Sequence, residues 1–342
     1  MQKKRIVLGL PKSFNMFEAI KKNMEHYGYE VISICFEDHT FKYKNFGQKA
    51  YNFIRKTFLN DKHYKGKLKF AFFSEEINKI LDAVEGEIDY TLLIRADIYP
   101  KEIISRLKKT SKKLIAYQWD GLHRFPAIYN YIPYFDRFFV FDKNDLSYSK
   151  HKLLPLSNFY FDFDRDFIKN KDAKNDIFFV GSYIRKRMPQ IEAFIKKSRE
   201  LNLKLDFHIF FTSVKDSKLI KSEEINHIFE HMPYEENIAR LKNSKIVIDF
   251  LNETHTGLSF RTFEALYYNK KLITNNAEVK KYDFYNPNNI FVWDGLNLEG
   301  VEEFINTPYQ EVNEEIKLKY GFKNWLNYVL DEGKYTPINL PK

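Results

Sequence analysis

The sequence predicts an α/β protein built from two parallel-sheet units, on three observations. Short apolar strands alternate with amphipathic helices from the start of the chain, the mark of parallel βαβ units. That series restarts near residue 175, after an aromatic and acidic stretch. The chain of 342 residues is long enough for two domains of ordinary size, and its 44% hydrophobic content, with 33 Phe and 23 Tyr, supplies a core for each.

Residues 4–10 read as a buried strand. A turn from Pro11 to Asn15 leads into an amphipathic helix that runs to about Tyr27 and closes at Gly28. Residues 29–36 form the second strand of this opening βαβ unit. It lacks G-x-G-x-x-G, which argues against a nicotinamide or flavin cofactor. Residues 38–72 are aromatic and lysine-rich, with helical spacing around Tyr51 to Arg55. The most basic run, residues 61–69, reads as a solvated loop or helix face rather than a docking patch. A helix over 74–84 precedes a strand over 90–94, and a helix over 101–111 precedes a strand over 113–118.

That last strand ends in Trp119, Asp120, Gly121, Leu122, His123 and Arg124. In open α/β sheets ligands bind beyond the carboxyl ends of the strands, so Asp120, His123 and Arg124 fall where chemistry is expected. Asp-Gly is also a common turn pair, and Asp120 serves equally as a helix cap. A strand over 135–142 follows, and a short helix begins at Asp142. Residues 152–166 look like the crossing between the two units.

The second series opens with a strand over 175–182 that ends in Val180, Gly181 and Ser182. Three cations, Arg185, Lys186 and Arg187, then enter a helix, and a solvated basic turn is the alternative to a ligand site there. Strands over 204–211 and 245–250, a helix ending near Asn243, a strand over 271–274, and residues 281–293 as a loop followed by a final strand complete the unit. Residues 311–331 read as helical, with Ile316, Tyr320, Phe322, Trp325, Leu326 and Leu330 on one face.

The stretch around which this second unit is organised is residues 253–266. Phe260, Phe263, Leu266 and Tyr267 form an apolar helical stripe, and Arg261, Glu264 and Tyr268 share the other face. Ser259 is placed as N-cap, and Gly257 permits close approach of another molecule to the backbone. Bare helix amides beside Arg261 suit an anion. Glu264, one turn deeper, is placed to accept two hydroxyl hydrogen bonds. An ordinary strand–loop–helix crossover with a solvated Glu264 also accounts for the pattern.

Residues 257–265 (Gly-Leu-Ser-Phe-Arg-Thr-Phe-Glu-Ala) resemble the donor-binding segment of nucleotide-sugar glycosyltransferases of the two-domain GT-B fold. More closely, Thr256 through Leu266, followed by residues 270–276, resembles bacterial capsule and lipooligosaccharide enzymes with a "TGL-x-x-R-T-x-E-A-L" segment and a "KKLIT-N" tail. Phe179-Val-Gly181, and Asp120-Gly121 with the strand that follows, resemble other parts of that group. The resemblance implies two Rossmann-like βαβ domains facing across a cleft, with a C-terminal helix crossing back to the first. The boundaries are residues 1–157 for the acceptor-side domain, 170–310 for the donor domain and 311–342 for the returning tail.

It also implies a glycosyltransferase moving sugar from a nucleotide-sugar donor to a hydroxyl of a glycan or lipid-linked acceptor of a surface polysaccharide. Gly181, Ser182, Arg185, Arg187, Tyr234, Thr256, Gly257, Leu258, Ser259, Arg261 and Glu264 are the donor-binding residues so implied. Lys12, His123 and Arg124 lie on the acceptor side, and Asp120 is the catalytic base if the enzyme inverts. One departure stands out. Where the larger glycogen-synthase-like group has a first Glu ahead of the one matching Glu264, this chain has Thr256. A non-catalytic sugar-nucleotide or polysaccharide-binding subunit, and a sugar-nucleotide epimerase of the same fold, are the alternatives.

The rest of the sequence narrows the class. There is no H-E-x-x-H, P-loop or G-x-S-x-G motif, and Asp162-Phe-Asp164 lies in the apparent crossing, so neither a cofactor nor a catalytic metal is expected. The single cysteine, Cys35, fits a reducing cytoplasm. No apolar run reaches the length of a membrane span, and the start of the chain reads as a strand rather than a signal peptide. Residues 1–150 carry 27 Lys+Arg against 18 Asp+Glu, which accounts for the whole net charge of +9. No nucleic-acid module accompanies that excess, so the basic half suits the anionic cytoplasmic face of the inner membrane, or a solvated surface.

Overall fold

The computed structural model describes residues 3–12, 16–36, 42–58, 64–124, 126–148, 150–163, 173–251, 256–295 and 297–341, without the side chains of 65–67 and 69–70. Glu253, Thr254, His255, Asp164 and the start of the basic run at 61–63 lie outside the described residues.

The first half folds into strands β1 (Arg5–Gly9), β2 (Glu30–Ser33), β3 (Ile88–Ile94), β4 (Ser111–Gln118), β5 (Arg137–Val140) and β6 (Leu154–Pro155). They form one six-stranded sheet in the order β2-β1-β3-β4-β5-β6, every pair parallel. The connections are helices α1 (Met16–His26), α2 (Phe46–Phe58), α3 (Tyr64–Asp82) and α4 (Lys101–Thr110). Successive strand residues point to opposite faces, so Ile6, Leu8, Leu92, Ile115 and Phe139 enter one core while Val7, Leu93, Leu114 and Phe138 enter another. Both faces being buried explains the near-continuous apolar strands.

The second half repeats the plan with β7 (Asn175–Ser182), β8 (Leu205–Phe210), β9 (Ile225–Ile228), β10 (Ser244–Asp249), β11 (Lys271–Thr274) and β12 (Ile290–Val292). Its order is β12-β11-β10-β7-β8-β9, again all parallel. Helices α5 (Met188–Glu200), α6 (Val214–Ser217), α7 (Tyr234–Lys242), α8 (Phe260–Tyr267) and α9 (Val301–Asn306) belong to this half. The strand order reverses between β7 and β10, and that switch point is where an open α/β sheet leaves a crevice.

The predicted helix over 311–331 is two helices, α10 (Glu314–Lys319) and α11 (Phe322–Leu330). Gly321, the extended N-cap of α11, separates them, and a Cβ there would lie 2.6 Å from Asp162 Oδ2. Phe322, Trp325, Leu326, Val329 and Leu330 of α11 join the core that covers one face of the first sheet. The final helix therefore crosses back, and Trp325 Nε1 donates to Ser157 O at 3.2 Å.

Candidate functional site

At the switch point, β7 ends in Val180, Gly181 and Ser182, and β10 ends in Asp249, with Phe250 next. Two arginines tie these ends together over one ring. Arg261 on α8 pairs with Asp249 Oδ1 at 2.6 Å and donates to Val180 O. Arg187 donates to Phe250 O at 3.2 Å and to Ser182 O at 2.5 Å. Both guanidinium carbons sit over Phe179, at 5.9 Å for Arg187 and 5.4 Å for Arg261. Burial, and then the neighbouring Arg261 charge, push the Arg187 guanidinium down to about 10.

This separates the three cations that sequence alone leaves equivalent. Arg187 is buried and committed to backbone carbonyls, so a solvent-facing phosphate cation at this residue is corrected to a strut between strand ends. The short 3-10 turn Arg185–Arg187 leaves Arg187 buried and Arg185 exposed, three residues beyond the end of β7. Gly181 has a packing reason, since a Cβ there would meet Phe179 at 2.8 Å.

The segment ahead of α8 faces the first sheet. Asp142, which caps the turn after β5, accepts from Thr256 N at 3.0 Å and Thr256 Oγ1 at 2.9 Å. A Cβ on Gly257 would lie 2.3 Å from Phe141 Cδ2 and 2.9 Å from Phe141 O. The close approach predicted at Gly257 is thus real, but the approaching group is Phe141 of the same chain. Leu258 O accepts from Asn158 Nδ2 at 2.9 Å, and Asn158 Oδ1 accepts from Tyr117 OH at 2.8 Å. Trp119, at the end of β4, packs edge-on to Phe260 with ring centroids 6.1 Å apart.

Ser259 occupies the N-cap of α8 without a side-chain capping bond, and its buried Oγ has no partner among the described residues. Glu264 is 2% exposed rather than lining an open wall, because α8 turns five neighbouring residues into the core as well. Tyr234, first residue of α7, donates its hydroxyl to the Glu264 carboxylate. Burial pushes Glu264 up to about 7, opposed by Arg261 and Tyr234. Tyr234 also lines a cavity of about 450 Å³ with Lys22, Phe161, Phe163, Lys242 and Tyr268, a size that suits a small-molecule site.

Across the cleft, Asp120 accepts from Arg95 Nη1 at 3.2 Å and from Arg124 Nη1 at 2.8 Å. Arg95 also chelates Asp97 with two bonds of 2.8 Å, and Gln118 donates to Asp97 at 3.1 Å. Arg95 holds φ 64° and ψ 60°, a left-handed conformation costly for a side chain of this size. Sequence reasoning missed Arg95 and the bridging role of Asp142. The only signal was a charged Arg-Ala-Asp after a strand, with nothing to say which partners it meets. His123 is exposed, its ring against Gly121, and Lys12 follows β1, with Nζ 5.2 Å from the Phe17 ring.

Compared by sequence, the chain matches no family model and no curated protein. Compared by structure, it is similar to a UDP-forming α,α-trehalose-phosphate synthase from Burkholderia xenovorans solved with glucose-6-phosphate. The TM-score is 0.59 at 10% identity, over 95% of this chain and 98% of that one. A UDP-GlcNAc 2-epimerase from Methanocaldococcus jannaschii, solved with UDP-GlcNAc and UDP, gives 0.51 at 14% identity, over 92% and 97%. A glycosyltransferase from Rickettsia africae gives 0.51 at 13% identity, over 97% and 98%.

The chain has the GT-B fold.

In GT-B terms, the β7–β10 switch point and residues 256–259 before α8 form the wall of the second lobe. The ends of β4 and β5 form the wall of the first. Among the described residues no group of three or more His, Cys, Asp or Glu is placed to hold a metal ion, and no helix is long and apolar enough to cross a membrane.

Proposed function

We propose that this GT-B chain is a glycosyltransferase that moves a sugar from a nucleotide-sugar donor to a hydroxyl of a surface glycan of the capsule or lipooligosaccharide type. The observation that carries the reading is the position of residues 256–264. They lie at the sheet's switch point, directly opposite the first-lobe strand ends that hold Asp120 and Asp142. Glu264 receives the ribose diol, exchanging its Tyr234 bond for substrate hydroxyls. Arg185 and the amides at Gly257, Leu258 and Ser259 meet the diphosphate, where charge builds as the nucleotide leaves. Asp120 accepts the proton of the acceptor hydroxyl, and Arg95 and Arg124 fix its orientation. No metal takes part in this scheme, and the basic first half meets the anionic cytoplasmic face of the membrane that carries the acceptor.

A second reading is favoured by one specific observation. Asp97 and Asp120 share Arg95 at the ends of β3 and β4, a carboxylate cluster of the kind a sugar-nucleotide epimerase needs at its cleft. One experiment separates the two. The protein is incubated with a panel of nucleotide sugars, with and without glycan acceptors, and followed by nucleoside diphosphate release and proton NMR. Acceptor-dependent release supports transfer. Inversion at a sugar carbon without acceptor supports epimerisation, and binding with neither product leaves a sugar-nucleotide-binding subunit.

A further inference from the structure

Helix α2 is amphipathic in the wrong direction for a globular protein. At about 100° per residue, Phe53, Phe46, Thr57, Ala50, Ile54, Phe58 and Tyr51 fill one continuous arc of roughly 160°. Gln48, Asn52, Lys49, Arg55 and Lys56 fill the remainder. A surface helix ordinarily turns its apolar stripe to the core. Here Gln48, Asn52 and Arg55 meet the adjoining chain: Asn52 Nδ2 donates to Tyr43 OH at 3.0 Å, Gln48 Oε1 accepts from Lys44 N at 2.9 Å, and Arg55 lies 5.0 Å from the Tyr64 ring, which Tyr51 at the end of the arc also meets edge-on at 5.2 Å. The apolar arc faces water, with Phe46 83%, Phe53 63%, Ile54 46% and Phe58 75% exposed. No residue of α2 is buried.

We propose that α2 is an interfacial helix, which seats the chain on an anionic lipid bilayer by inserting Phe46, Phe53, Ile54 and Phe58 below the headgroups. The occupant follows from charge. The helix has no Asp or Glu, Lys49 and Lys56 lie on its polar side at the edge of the arc, and Lys42 and Lys44 precede it. The half of the chain that contains it carries the entire net charge of +9. An apolar stripe bordered by lysines, lying in the plane of the headgroups, is how such helices bind anionic membranes. A protein partner with an apolar groove would meet the same stripe but gives no reason for an all-basic border. The inference sharpens the peripheral-membrane part of the proposed function and holds whichever reaction the cleft performs. It replaces a diffuse electrostatic attraction with a defined inserted face.

The test uses the full chain and vesicles of phosphatidylcholine alone or mixed with phosphatidylglycerol, read by co-sedimentation. Wild type is expected to bind the mixed vesicles, and Phe53→Ser with Phe58→Ser to lower that partitioning at least about tenfold at unchanged thermal stability. Lys49→Gln with Lys56→Gln is expected to weaken the preference for anionic over neutral vesicles. Phe53→Trp should show a blue-shifted emission on adding mixed vesicles. Salt-sensitive binding that survives intact in the double serine variant would overturn the insertion while leaving attraction by the basic half standing. No binding by wild type would overturn both. A dimer of the wild type in solution that the serine variant dissolves would assign the face to a second copy of the chain instead.

Discussion

Glu264→Gln is expected to stabilise the protein at pH 8 by several times more than at pH 5. The carboxyl is held at about 7, raised from 4.5 first by burial. Folding therefore takes up a proton between those values. The stability this group contributes is complete below its unfolded value and is lost as pH rises through about 7. One pH unit corresponds to about 1.4 kcal/mol, so the ionised carboxylate costs the folded state about 3 kcal/mol at pH 8. Gln has the shape of the protonated acid, still accepts from Tyr234, and never ionises. Thermal unfolding of wild type and variant at both pH values isolates the effect, because other titrating groups are common to the two proteins. The lag of the wild type behind the variant should grow by a few degrees from pH 5 to pH 8. An identical change in Tm from pH 5 to pH 8 in both proteins would refute the reasoning. The same residue links stability to the proposed donor site: Glu264→Ala should weaken nucleoside diphosphate binding by about 2–4 kcal/mol in calorimetry, and unchanged affinity in a folded variant would remove Glu264 from that site.

Three further substitutions bear on the remaining site residues. Gly257→Ala should destabilise by about 1–3 kcal/mol because its methyl would strike Phe141, and a thermal melt equal to wild type would contradict the packing. Arg187→Ala should cost about 2–4 kcal/mol of stability by stranding two carbonyls, whereas Arg185→Ala should melt like wild type and raise the donor KM; the reverse pattern would exchange their roles. Asp120→Asn should lower turnover by roughly 10²–10⁴ with donor affinity nearly unchanged if Asp120 is the base. A loss below about tenfold would make it an orienting residue and favour a retaining route in which the leaving phosphate takes the proton.

The fold was legible wherever the apolar period was long or the residues β-branched. The strands at 4–10, 113–118 and 175–182 and the helix after Ser259 appear within one or two residues of their observed ends. Short elements were not: β9 and α9 carry too few residues to show a period, and the two residues of β6 read as part of the crossing. Around the crevice, sequence shows which residues are unusual but not what they meet. Gly257 announces a close approach, yet only the folded chain reveals that Phe141 makes it. Arg185, Lys186 and Arg187 are indistinguishable in a string, and a single turn of backbone decides which is buried. Arg95 gave no local sign because its left-handed backbone and its pairing with Asp120 are set by β4, 25 residues away in the chain.

The return of α11 gives the molecule a particular order of assembly. The first sheet is complete at Pro155, but many of the side chains that cover one of its faces, beside those of α1, belong to residues 322–338. Trp325 and the carbonyl it caps are 168 residues apart in the chain. At ribosomal speeds of about 5–20 residues per second, that gap lasts on the order of ten to thirty seconds. Throughout it the face that holds Ile6, Leu92, Tyr117 and Phe139 lacks the cover of α11 while the second lobe is still being synthesised. The half that is made first is thus the half finished last, and for that interval it is a natural client for chaperones that shield apolar surface on growing chains.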